Sequence, residues 1–170
     1  MKLNWLNRAI QGYQRTTFTL ESKLYGQLDR LVHAVNYFRD REDNGEDTYV
    51  CTDIPSISRV FLITGIERAM DQGFLPFAKA FHHELQYHVL EANQKSKQTF
   101  AYLHTSEKKA ISDLYALVSE YVEQEHLKHM QHQYVFNEDV LFRFFIKGGM
   151  DTLQNKPVKQ VSQMISIHSI

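Results

Sequence analysis

Apolar residues recur at helical spacing along most of this chain. Leu3, Leu6, Ile10 and Tyr13 give a short amphipathic opening, and Leu20, Leu24, Leu28, Leu31, Val35 and Phe38 then fall four and three residues apart. That stripe is the mark of one buried helix face about five turns long. Gly26 within it costs ~1 kcal/mol of helix propensity, which burial of the leucine seam outweighs. IPSISRVFLITGIERAMDQG (54–73) is ambiguous: RVFLIT alone reads as a strand, but no second strand of comparable quality exists to pair with it. Pro55 near the start and Gly73 at the end favour a helix. From Pro76, the residues Phe77, Phe81, Leu85 and Val89 stand four apart and predict a helix running to His104. Thr105 or Ser106 caps the next helix, with Glu107 in its first turn. Its stripe of Ile111, Leu114, Tyr115, Val118, Tyr121 and Val122 resumes at Phe136. Asn137 opens EDVLFRFFIK, which Gly148-Gly149 should halt. Val158, Val161, Met164 and Ile165 again recur at helical spacing.

These elements predict an all-α fold, a bundle of five to six helices around a long αα-hairpin of residues 76–104 and 106–136. Residues 1–147 read as a single helical domain, and 148–170 as a C-terminal tail that docks as a helix. Three prolines and seven glycines in 170 residues are too few for a turn-dense β sandwich or barrel. The one cysteine, Cys51, rules out an internal disulfide and a four-cysteine zinc site. The opening MKLNWLNRAIQG lacks the apolar run of a secretory signal, and no stretch nears the ~20 apolar residues of a membrane span. A cytoplasmic protein without membrane contact is the expectation.

Helix angle gives the segment EQEHLKHMQHQ (123–133) its interest, with three histidines and two glutamates in eleven positions. At about 100° per residue the apolar face of 111–122 continues onto Glu125 and His129, with His126 at its margin. On the preceding helix His88 lies on the apolar side and Glu84 at its edge. Folding the hairpin at 104–106 would bring Glu84, His88, Glu125, His126 and His129 into one layer. Carboxylates and imidazoles three or four residues apart on facing helices are what a zinc or di-iron enzyme or sensor requires. The pairs of motifs such sites use are incomplete: only Glu123 to His126 has the Glu-x-x-His form, and HExxH is absent. A hydrogen-bonded structural patch without a cofactor is the simpler expectation.

No phosphate-cradling glycine loop and no Gly-x-Ser-x-Gly elbow occurs. The sequence therefore points to a non-enzymatic protein-protein interaction module, of regulator, inhibitor, immunity or adaptor type. Its acidic loop EDNGEDTYVCTD (42–53) carries Glu42, Asp43, Glu46 and Asp47, which can steer a basic protein partner. Phe142 and Phe145, in a segment too apolar for one helix face, are the expected contact residues, toward a partner or a second copy in a homodimer. Net charge is −1, so nucleic acid is not the expected partner. Lys95, Lys97, Lys108 and Lys109, interleaved with Phe100 and Tyr102, are the one local exception.

Overall fold

The computed structural model describes residues 8–42, 52–88, 95–129 and 136–168. Among them are two strands and six helices longer than one turn: β1 (Tyr13–Glu21), α1 (Ser22–Glu42), α2 (Ile54–Gln72), α3 (Phe74–His88), β2 (Ser96–His104), α4 (Thr105–His129), α5 (Glu138–Leu153) and α6 (Val158–His168). The chain is mostly helical, and no helix among the described residues is long and apolar enough to cross a membrane.

The strands are the main departure from the expected all-helical course. Residues 96–104, expected to finish the first rod of a hairpin, instead pair antiparallel with β1, from Tyr13 opposite His104 to Glu21 opposite Ser96. Thr16, Thr17 and Thr19 are β-branched and fit a pleated surface better than a helix. Phe18, Leu20, Ala101 and Leu103 are buried on the inner face. Leu20 thus belongs to a strand, and only from Leu24 onward does the leucine seam run along a helix. Gly12, at φ 84°, turns the chain into β1, where a side chain would be strained, and its carbonyl accepts from the Thr105 N–H at 3.0 Å.

β2 passes straight into α4. Neither Thr105 nor Ser106 is the cap: the Ser106 N–H donates to His104 Nδ1 at 3.2 Å, and the His104 N–H donates to the Glu107 carboxylate at 2.8 Å. This is a reciprocal capping box with histidine in the usual serine position.

α2 is the central helix. Asp53 caps it by accepting from the Ser56 N–H at 2.8 Å, and it ends at Gly73, φ 87°. Its main partner is α5, and a shared Phe-x-x-x-Gly pattern makes the contact. A Cβ on Gly65 would overlap the Phe145 carbonyl, and one on Gly149 would overlap the Phe61 carbonyl. Phe61 opposite Gly149 and Gly65 opposite Phe145 means that the two helices run antiparallel and touch backbone to backbone. Each mid-helix glycine costs ~1 kcal/mol of propensity, offset by close packing and Cα–H···O contacts. Gly148-Gly149 therefore does not stop α5, which runs on to Leu153; the boundary expected after residue 147 falls inside this helix. α6 lays Val161 and Ile165 into the core, and Arg39 of α1 donates to Ser162 Oγ at 2.7 Å and Ser162 O at 2.9 Å.

Candidate functional site

Where α1, α2, α3, α5 and α6 meet, they leave an open groove of about 840 Å³. Its floor is apolar: Leu24, Phe61, Ala69, Phe77, Phe145 and Val161 line it. Helical periodicity places them there, because each belongs to the inward stripe of its own helix. Charges stand at the rim. Lys147 Nζ lies 3.2 Å from Glu84 Oε1 and 3.5 Å from Glu21 Oε1, and Arg143 approaches Glu21 at 4.0 Å. Glu21 is only 8% exposed, so Lys147 and Arg143 supply the charge that its burial demands. Lys23, Arg68, Asp151 and Lys156 complete the rim. Gly148 also lines the groove, and a Cβ there would meet nothing within 4 Å. Such a cleft can remove apolar surface from water and orient it by charge, which is binding chemistry.

A second polar cluster joins α3 to α4. His82 and His126 stand edge to face with centroids 5.8 Å apart, and Tyr121 closes the group 6.3 Å from His82. His126 is buried. Burial, then the nearby Glu125 carboxylate, push the Tyr121 hydroxyl above its ordinary pKa, with Lys128 opposing. A third cluster is a clasp: Arg59, 7% exposed, grips Glu107 through two bonds of 2.5 and 2.8 Å and also donates to Tyr102 O at 3.0 Å. Burial alone would raise the Glu107 pKa. The Arg59 hydrogen bonds, the His104 N–H and the guanidinium charge outweigh it and hold the carboxyl below its usual range.

Of the five residues expected to form a metal layer, the side chains of Glu84, Glu125 and His126 are described. Glu84 is set against Lys147 at the groove, while His82, two positions earlier, is the residue that meets His126. Glu125 lies 3.2 Å from Lys128. The side chains of His88 and His129 lie outside the described residues, and among those described no three His, Cys, Asp or Glu side chains gather as a metal-holding group. Sequence reasoning missed His82 because it assumed that 76–104 and 106–136 mirror each other about one turn; β2 breaks that register.

Of the expected contact residues, Asp43, Glu46, Asp47 and the Glu42 side chain lie outside the described residues. Phe142 and Phe145 are covered by the chain itself. Phe142 stacks on Phe18 at 4.8 Å, and Phe145 stacks on Phe77 at 5.5 Å with Gly65 against its backbone. Much of the apolar area of 140–149 is thus taken up between β1, α2 and α3, while Phe144 and Phe145 line the groove. The groove itself had one legible trace, the pair of glycines in an otherwise helical run.

No family model, curated protein or solved structure matches this chain.

Proposed function

We propose that this protein is a non-enzymatic interaction module that holds an amphipathic helix of a protein partner in the groove beside α5. The observation that carries the reading is the combination of an apolar floor with an acid- and base-bearing rim in one open cleft of about 840 Å³. A helix laid there buries its apolar stripe on Leu31, Phe144, Met150 and Val158, the half-buried apolar residues of the lining, and its polar flanks meet Lys23, Lys156 and Asp151. Glu42 is the last residue of α1, one wall of the groove, and Asp43, Glu46 and Asp47 come next in the sequence. They would speed encounter with a basic partner more than they would tighten the complex. Gly148→Trp tests this, because it fills the cleft from a position with free space around its Cβ. A wild-type bait is expected to retain a specific host protein that the Gly148→Trp bait loses while unfolding at the same denaturant concentration. Retention of the same protein by both baits would refute groove docking.

A second reading, as a zinc or iron protein, is favoured by the His82–His126 pair. Two imidazoles 5.8 Å apart are within reach of a shared tetrahedral ion, whose bonds to nitrogen run about 2.0–2.1 Å. The expected ligands Glu125, His126 and His129 fall on that stretch of α4. Stoichiometric metal in protein purified without chelator, lost in His82→Ala and His126→Ala, supports it. Substoichiometric metal and no thermal shift with zinc or iron discards it.

A further inference from the structure

The chain's bases are not spread evenly, and two of them, Arg8 and Arg15, stand over the aromatic outer face of the strands. Residues 8–21 and 95–109 hold six Lys or Arg against two Asp or Glu, a net +4 in a chain whose total is −1. Both acids are engaged, Glu21 by Lys147 and Arg143 and Glu107 by Arg59. Among the described residues no carboxylate lies within ion-pair reach of Arg15, Lys95, Lys97 or Lys108.

The register decides what these bases accompany. With Phe18, Leu20, Ala101 and Leu103 turned inward, the opposite face of the ribbon carries Tyr13, Arg15, Thr17 and Thr19 on β1. Across from them stand His104, Tyr102, Phe100 and Gln98. Along this face Tyr13 meets His104 edge to face at 5.3 Å, and Phe100 meets Tyr102 at 5.7 Å. Arg15 lies over the Phe100 ring at 4.0 Å and Arg8 over Tyr102 at 4.4 Å. On a helix Phe100 and Tyr102 would point some 200° apart; on a strand they share a face.

We propose that this outer face of the β1–β2 ribbon binds single-stranded RNA. Bases stack on Phe100 and Tyr102, displacing or sharing the guanidinium groups above them, and phosphates are met by Arg8, Arg15 and, in the first turn of α4, Lys108. An exposed cation–π contact is weak, so a base can slide between Arg15 and its ring. Rings alone would suit any unpaired base. The hydroxyl and amide groups of Thr17, Thr19 and Gln98 on the same face provide partners for the 2′-hydroxyl, which favours RNA over DNA. The sequence-level expectation against nucleic acid rested on the total charge, which hides this asymmetry. The site is separate from the groove.

Fluorescence anisotropy of a labelled, unstructured RNA oligonucleotide tests the proposal on the intact chain, with DNA of the same sequence, duplex RNA and inorganic polyphosphate as comparisons. RNA binding is expected to weaken roughly 20-fold when salt rises about fourfold, as for three phosphate contacts. Phe100→Leu and Tyr102→Leu, which keep apolar bulk, should each lose about tenfold. Arg15→Glu, at an exposed position that folding does not need, should lose more. Absence of RNA binding at low salt would overturn the proposal. So would equal affinity for DNA, duplex or polyphosphate, or unchanged binding by the leucine variants once their folding is verified by circular dichroism.

Discussion

Gly148 and Gly149 are neighbours on α5, yet an added methyl group would meet open space at the first and the Phe61 carbonyl at the second. The helix is thus two surfaces at once. Its Phe145–Gly149 stripe closes on α2 so tightly that only glycine fits, while Lys147 and Gly148 border a cleft that nothing in the described chain fills. Close packing on one side is what leaves room on the other: α5 is drawn against α2, so α1, α3 and α6 cannot all close over its flank. The lesson is that a pair of glycines in a helical run need not be a stop signal. One can be a contact and the other a wall.

The strongest way to break this contrast is to add a methyl group at each position. Gly149→Ala and Gly65→Ala should each lose about 3 kcal/mol in urea unfolding, because the new carbon strikes backbone that cannot swing away. Gly148→Ala should instead gain up to ~1 kcal/mol from helix propensity. Next in size is the clasp that holds β2 and α4 to α2. Glu107→Ala leaves a buried guanidinium with less compensation and should cost about 2 kcal/mol, below the figure for a fully buried pair because Glu107 keeps some solvent contact. The pH dependence has a definite sign. The folded Glu107 pKa is lowered, so its contribution is complete above the ordinary carboxyl pKa and is lost as pH falls through the folded value. Glu107→Gln should flatten that acid limb of a stability-against-pH curve. Smallest is the rim. Lys147→Met removes the link between Glu21 and Glu84 at a half-exposed site and should cost about 1 kcal/mol, with the loss recovered in part by Glu21→Gln.

Much of the helical course was legible in the sequence. Leu24, Leu28 and Val35 on α1, and Ile111, Val118 and Val122 on α4, are buried as their spacing predicts, and Gly73 ends α2. The strands were hidden for two physical reasons. Leu20 and Leu24 are four apart across a strand–helix junction, which imitates a helix seam. On β2, Phe100 and Tyr102 put aromatic rings on the solvent face, so the alternation with Ala101 and Leu103 vanishes from a hydropathy reading. Their pairing also joins segments about 80 positions apart, beyond any local pattern. Only the threonines of β1 carried a signal, and it was outweighed by the following leucines. Beyond the pair of glycines the groove was not legible either, since its lining comes mainly from five helices that local periodicity does not place relative to one another.

The openness of the α5 flank can be measured directly by thiol labelling. In a Cys51→Ser background, Gly148→Cys should react with a thiol reagent at close to the rate of the unfolded chain. Ala78→Cys, at a position fully buried on α3, should react only as fast as the protein opens. A bound partner helix should then slow labelling at 148. Equal protection of both cysteines in the isolated protein would mean that the groove is closed, contradicting the account at its centre.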